Sequence, residues 1–298
     1  MSRAQKYPNA AREAARSEAE RRSEAPSTTP MHTPCRSLFS VAFLLIGALA
    51  TSSPRLLAEN ASPTEPSIRT PGPDLANFPN SAFTLPKGRS YVELMPFNFS
   101  KRTADGAPSQ VSAGYLLRYG LTDDFELRLM SEGYTVERGN GGASGMSPQI
   151  LDFKWHLWDE RKESFLPAFG IEVALQTNWA KRAFRGGTQP SLSLNFDQTL
   201  PGDIAFEYNV GVFSQNSDAG NRQAQVSLSW ALQREVVDDV AVFVNGYSNT
   251  GQGVPSSAIG GGLQWTASSR VALFTNLAGG LTRATPKFSA LVGFAVAF

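Results

Sequence analysis

The chain ends Lys287-Phe-Ser-Ala-Leu-Val-Gly-Phe-Ala-Val-Ala-Phe298. Phe288, Ala290, Val292, Phe294, Val296 and Phe298 fall on one face of an extended segment. Lys287, Ser289, Leu291, Gly293, Ala295 and Ala297 fall on the other. The period of two predicts a strand. One face is apolar from end to end, and the other is mostly small. That division suits lipid on one side and a barrel lumen on the other. A terminal edge strand of a soluble β-sandwich would show the same alternation, so the rest of the chain has to decide.

From residue 87 onward the rhythm repeats. Strands are expected near 89–98, 109–119, 124–135, 148–158, 164–176, 189–198, 204–213, 222–232, 239–247, 257–266, 270–279 and 287–298, which makes twelve. The connections at 120–123, 159–163, 199–203, 233–238 and 267–269 are short. Those at 99–108, 136–147, 177–188, 214–221, 248–256 and 280–286 are mostly longer and richer in Gly, Asn and Ser. Short turns at one end and longer loops at the other are the arrangement of outer-membrane barrels, and an even strand count puts both termini at the short-turn end. A sandwich has no reason to alternate loop length.

The faces agree. Phe125, Leu127 and Leu129 oppose Glu126, Arg128 and Met130. Leu151, Phe153 and Trp155 oppose Asp152, Lys154 and His156. Ile171 and Val173 oppose Glu172, Leu194 and Phe196 oppose Asn195 and Asp197, and Phe206 and Tyr208 oppose Glu207. A charge on the lipid face near mid-bilayer would cost about 2–4 kcal/mol, and these strands place their charges on the other face. Facing is ambiguous where Val240, Val242 and Val244 alternate with Ala241, Phe243 and Asn245. Trp155, Trp158, Trp230, Trp265, Tyr91, Tyr119 and Tyr134 lie near expected strand ends, as interfacial girdles would, although ordinary packing gives the same placement.

The fold expected is therefore all-β: a transmembrane antiparallel β-barrel of about twelve strands over 87–298, behind a disordered N-terminal segment. Within that segment, 1–30 reads as an upstream extension preceding a true start at Met31. Residues 31–50 read as a signal peptide with Arg36, an apolar stretch from Leu38 to Leu49 and an Ala48-Leu49-Ala50 cleavage signal. Residues 51–86, rich in Pro, Ser, Thr and Asn, read as an unstructured periplasmic arm. An N-terminal anchor helix is the alternative for the apolar stretch.

The net charge of +1 gives no reason to expect nucleic acid as a partner. One cysteine, Cys35, makes no intrachain disulfide, and two histidines with that cysteine offer no zinc site. No cofactor is expected. Gly260-Gly-Gly262 lacks the Lys-Ser/Thr of a phosphate loop and reads as close packing in a barrel wall.

Tyr119-Gly-Leu-Thr-Asp-Asp-Phe-Glu-Leu-Arg128 is a strand, tight turn and strand. With the entry phrase Asp74 to Glu93 and the hairpin Gly279-Gly-Leu-Thr-Arg-Ala-Thr-Pro286, it resembles the outer-membrane transporter-like family labelled as phenol-degradation meta-pathway proteins. The resemblance spans roughly 74–298. It implies a barrel that passes small compounds, hydrophobic and aromatic ones included, and it brings no catalytic motif.

Candidate lumen residues are Glu93, Arg118, Glu126, Arg128, Asp152, Lys154, His156, Glu172, Asp197 and Glu207. Around the turn, Arg118 is expected nearly opposite Glu126. Two readings are open: a charged pore lining that sets selectivity, or a salt-bridged filling that rigidifies a non-conducting structural or adhesion barrel. In a wet lumen each pair would add about 1 kcal/mol or less, and replacing Arg118 and Arg128 would shift selectivity toward cations without unfolding the barrel. His156 could in principle serve a serine-based lipase, but it shares the inward face of Asp152 and Lys154, and no enzyme is expected. The expected partners are membrane lipid, a small solute and, through the terminal Phe298, the outer-membrane barrel assembly machinery. The expected location is the bacterial outer membrane.

Overall fold

In the computed structural model, residues 65–139, 142–216 and 220–298 are described. The expected extension, signal peptide and residues 51–64 of the arm lie outside them. The strands run Ser90–Ser100 (β1), Ser109–Thr122 (β2), Phe125–Arg138 (β3), Ser144–Met146 (β4), Ile150–Trp158 (β5), Ala168–Gln176 (β6), Gln189–Leu200 (β7), Ile204–Asn216 (β8), Arg222–Val237 (β9), Val240–Gly251 (β10), Ser256–Ser268 (β11), Val271–Gly280 (β12) and Ser289–Ala297 (β13). Each pairs antiparallel with its neighbour, and β1 pairs with both β2 and β13. Twelve strands therefore close into a barrel. β4 is a three-residue strand that pairs only with the outer part of β3.

Closure leaves none of the twelve wall strands as the edge of an open sheet. What remains is to satisfy two faces of opposite character. Leu117, Phe153, Val210, Leu228, Leu263 and Val292 point outward and stay exposed. A continuous apolar belt of this kind is out of place in water and at home in lipid. In the closing strand Val292 is exposed, while Gly293, Ala295 and Ala297 are buried, so the sequence assigned these faces correctly. β10 settles its own ambiguity. Val242 and Val244 are exposed, whereas Phe243 and Asn245 are buried inside. A Cβ at Gly262 would stand 2.6 Å from the Phe243 ring and 1.8 Å from the Thr275 carbonyl oxygen. The glycine run is thus the floor on which an inward aromatic ring lies.

One row of outward aromatic rings crosses four neighbouring strands. Trp158 meets Phe169 at 4.5 Å between centroids, Phe169 meets Phe196 at 5.0 Å, and Phe196 stacks on Tyr208 at 4.8 Å. These residues are direct cross-strand partners, so the girdle is held by pairing as well as by lipid.

Two irregularities reshape the wall. Pro96 cannot donate to a ladder, and β1 shifts register against both neighbours around it. In β3, Gly133 has φ 64°, and a Cβ there would meet the Ala113 carbonyl oxygen at 1.8 Å. This bulge requires glycine.

Turns of two or three residues join β2 to β3, β7 to β8, β9 to β10 and β11 to β12. The β5–β6 connection is longer than the sequence suggested. It spans 159–167, contains a single 3-10 turn at Lys162–Ser164 and turns back at Phe165 with φ 54°. Pro167 ends it. The β10–β11 loop, in contrast, is shorter than expected, at 252–255.

The larger difference concerns the arm. Residues 65–88 form no helix or strand, yet they do not hang outside the barrel. Ile68, Ala76, Ala82 and Leu85 are buried. Ile68, Ala76 and Leu85 cluster with residues of β1, β10, β12 and β13, and the Ala82 amide donates to Asp197 of β7. This segment is a plug.

Candidate functional site

The plug starts at the short-turn end. There the Ile68 amide donates to the Ser269 carbonyl in the β11–β12 turn at 2.8 Å, Arg69 pairs with Asp239 of the β9–β10 turn, and the Tyr91 hydroxyl donates to the carbonyls of Ser67 and Pro71. The plug then rises into the lumen. Its highest reach is Phe78, whose ring sits edge-on to Tyr247 with centroids 5.0 Å apart. It descends again, and Thr84 and Lys87 bond to Asp123 in the β2–β3 turn before β1 begins. The backbone of such a segment has no ladder of its own, so the wall must satisfy it. Inward side chains do this. Glu93 accepts from the amides of Asp74 and Leu75, Glu126 from Leu85, Asp197 from Ala82, and Asn209 from Asn80.

The strongest anchor is ionic. Across β3, β5 and β6 the register opposes Glu126 to Lys154, Arg128 to Asp152, and Lys154 to Glu172. Charges of opposite sign thus alternate in both directions. Arg118 of β2 stands directly opposite Arg128 rather than Glu126, because Glu126 pairs with Gly120. The expected pair forms along the diagonal instead. Arg118 Nε is 2.7 Å from Glu126 Oε1 and Nη2 is 3.1 Å from Oε2, a two-pronged contact. Arg118 Nη1 also donates to Glu93 at 3.0 Å and to the Gly72 carbonyl at 3.1 Å. Arg128 reaches Glu172 at 2.8 Å and Asp152 at 3.3 Å.

Asp74 of the plug completes the cage. Its Oδ2 is 2.6 Å from Lys154 Nζ, 3.4 Å from Arg128 Nη2 and 3.5 Å from Arg118 Nη2. The side chains of Arg118, Arg128 and Lys154 are fully buried. Burial pushes the Asp74 carboxyl up, but Arg118, Lys154 and Arg128 together outweigh it and hold the group below the usual carboxylate range.

On the far wall the acids meet amides and hydroxyls of the plug. Asn80 donates to Glu172 at 2.8 Å, Ser81 to Asp197 at 2.6 Å and Asn77 to Glu207 at 3.0 Å. His156 stacks on Phe83 with centroids 4.9 Å apart, and its Nδ1 lies 3.1 Å from the Ala82 carbonyl. Its other ring nitrogen faces Asp159 at 3.2 Å.

The ten residues singled out by the sequence therefore all face inward. All but Asp152 touch the plug directly. The partners that sequence reasoning missed are those of the plug, Asp74, Asn77, Asn80 and Ser81, together with the wall amides Asn195, Asn209 and Asn276. One signal was available. Residues 74–85 carry Leu75, Phe78, Phe83 and Leu85, more large apolar side chains than a solvated arm has reason to keep.

A closed barrel with an apolar belt, a polar interior and an internal plug defines an outer-membrane β-barrel protein. The sequence profile of the family described as "Putative MetA-pathway of phenol degradation" matches residues 74–298, and the chain belongs to that family. The match begins at Asp74, inside the plug. No curated protein matches the sequence. Among solved structures, an outer membrane channel from Pseudomonas putida F1 superposes with a TM-score of 0.55 at 14% identity, over 74% of this chain and 99% of that one. It supports the fold. The CymD monoaromatic hydrocarbon channel aligns at a TM-score of 0.38 and 9% identity, over 72% of this chain and 88% of that one, too weakly to bear on the argument.

Proposed function

We propose that the protein is a passive outer-membrane channel for small compounds with apolar bodies, entered from the long-loop end and gated by its plug. One observation carries this reading: the lumen changes character at the plug. Beneath Phe78 it is packed with paired charges. Above it lies a cavity of about 250 Å³ whose apolar wall is Leu75, Phe78, Met95, Met130, Ile150 and Leu291. A second cavity of about 340 Å³ shares Phe78, Asn98, Glu132 and Ser289 with the first and continues past Tyr247 to the long-loop residues Thr285 and Pro286. An apolar solute thus has a route inward as far as the plug. Displacing the plug would open the remainder.

Uptake of a single-ring hydrocarbon into protein-containing liposomes, compared with protein-free ones, tests this. Uptake several times faster is expected. Equal rates, with no conductance in planar bilayers, would leave the second reading, a non-conducting structural barrel. That reading draws its support from the cage, whose Arg118, Arg128 and Lys154 side chains are fully buried and fasten the plug to the wall. Nine of the ten inward candidates, all but Asp152, hold the plug in either reading, and in the channel reading all ten would line the passage once it leaves.

The same proposal covers assembly. Phe298 is exposed at the short-turn end, and Ser90 and Phe298 exchange backbone hydrogen bonds at the β1–β13 seam. A terminal aromatic there is open to the assembly machinery until the seam closes. Phe298→Asp is expected to lower outer-membrane yield several-fold and to raise periplasmic degradation. Wild-type yield would remove Phe298 from that role.

A further inference from the structure

The two irregularities of the wall converge on one carboxylate. In β1 the register shift around Pro96 leaves Met95 buried, turns Phe97 outward and brings Asn98 to the lumen side. In β3, Met130 and Glu132 line the lumen, and the bulge at Gly133 turns Tyr134 outward. Ser112 of β2 stands opposite Asn98. The three side chains meet. Glu132 Oε2 accepts from Asn98 Nδ2 at 2.8 Å and from Ser112 Oγ at 2.9 Å. The other oxygen, Oε1, takes no hydrogen bond from any described residue, and the side chain is exposed. Bulges re-aim side chains beside functional sites. Here they hold a carboxylate by one oxygen and leave the second free.

Unlike Glu93, Glu126, Asp197 and Glu207, Glu132 bonds nothing in the plug. Among the described residues it is also the only charged one lining either cavity above the plug, and it lines both. A carboxylate alone in a narrow lumen attracts a cation, and its surroundings decide which. A divalent ion takes about six oxygens or more, and no three His, Cys, Asp or Glu side chains gather to hold a metal among the described residues. A guanidinium fork needs both carboxylate oxygens, and Oε2 is already taken. A primary ammonium needs one oxygen for its first donor. Ser289 and Gln110 line the same cavity and offer oxygens to the others. A hydrated alkali ion would gain nothing from the apolar wall alongside. An apolar cavity of about 150 Å³ holds benzene. The first cavity here, at about 250 Å³, has room for a body of that size with a short stem to the nitrogen.

We propose that the joined cavities are a binding site for a primary ammonium compound with a compact apolar body, its nitrogen donating to Glu132 Oε1 and its body against Met130, Ile150 and Leu291. This deepens the channel reading and rests on it for the onward movement of the bound compound. Phe78 of the plug lines both cavities, so the site exists in the closed state and selects what waits at the gate.

The test is equilibrium dialysis of the purified full chain in detergent at neutral pH, against protein-free micelles. The probes are cyclohexylmethylamine, cyclohexylmethanol and cyclohexanecarboxylate, alike in body and different in charge. The wild type should bind the amine about fivefold more tightly than the alcohol, the scale of an exposed ion pair, and the carboxylate most weakly. Glu132→Gln keeps an oxygen for Asn98 and Ser112. It should still bind the alcohol and lose the preference for the amine. Leu291→Trp fills the first cavity and should abolish binding of both. Methylammonium, which has the charge without the body, should compete poorly. No preference in the wild type, a preference that survives in Glu132→Gln, undiminished binding in Leu291→Trp, or equal competition by methylammonium would each overturn the proposal. Liposome uptake of the amine is measured alongside. Uptake without the charge preference would sink this site and leave the channel standing, and the preference without uptake would keep the site and remove the channel.

Discussion

Asp74→Ala is expected to release the plug and raise single-channel conductance by one to two orders of magnitude. Asp74 is the carboxylate to which Lys154 donates, and it also faces Arg128 and Arg118. Without it, a fully buried ammonium loses the carboxylate it bonds to while the plug stays docked, and keeps only its more distant cross-strand neighbours Glu126 and Glu172. Breaking a buried pair from one side typically costs about 3–5 kcal/mol, and each 1.4 kcal/mol is about tenfold in an equilibrium. The docked state would therefore lose roughly a hundredfold or more against a state in which the plug leaves and water reaches the cage. The wall loses no strand pairing, since Asp74 precedes β1, so the barrel should still migrate as a folded species without heating. Protease cleavage within 72–85 should appear only in the variant. Acid should imitate the mutation, whereas neutral pH changes should not. A carboxyl held below its unfolded value contributes fully above that value, about 4 for a free aspartate, and the contribution is lost as pH falls below it. Between pH 5 and 8 the Asp74 contribution should stay constant. A variant that remains closed and protease-resistant would show that the backbone bonds to Glu93, Glu126 and Asp197 hold the plug without the ionic anchor.

The wall was legible because strands announce themselves locally. Every expected strand is present with its ends displaced by a few residues, and the charged faces were assigned inward because alternation is a property of neighbouring residues. The missed pieces depend on distant partners. Phe243 looked as suited to lipid as the valines beside it, and only the glycines of β11, brought alongside by register, show where its ring goes. The β5–β6 connection looked short because Phe165 and Leu166 read as strand, whereas Phe165 lies in the left-handed region. The plug had no period to read at all. Its order comes from Glu93, Arg118, Glu126, Lys154, Glu172 and Asp197, which lie up to 116 residues away in sequence. Sequence gave the direction in which those side chains point, but not what fills the space they point into. That gap turned a dry cage into an expected wet pore.

The same gap reverses the expected consequence of replacing Arg118 and Arg128. In a water-filled lumen their pairs would add little, and an alanine double variant would fold normally. In the cage, the side chains of Arg118, Arg128, Glu93, Glu126 and Asp152 have no exposed surface, and that of Glu172 is 9% exposed. Removing both arginines leaves those four wall acids and Asp74 with Lys154 as the one remaining cation of the cage. The two losses share partners and will not add simply, but several kcal/mol is the expected scale. Folded yield should fall sharply, and urea should unfold the remainder at markedly lower concentration. Whatever fraction folds should be unplugged and cation-selective, because acids then dominate its lumen. Arg118→Lys separates charge from geometry. It keeps the cation but loses the fork that grips both Glu126 oxygens and Glu93 together, so an intermediate loss is expected. Replacing Arg118 and Glu126 together by methionine removes both members of one pair, and part of the stability lost in Arg118→Ala should return, since a buried pair exchanged for apolar groups of similar volume is often neutral, while Glu93 stays without its arginine and the Leu85 amide without its acceptor. Equal stability of wild type and the arginine double variant would mean that water reaches these side chains, and the cage would then be a pore lining after all.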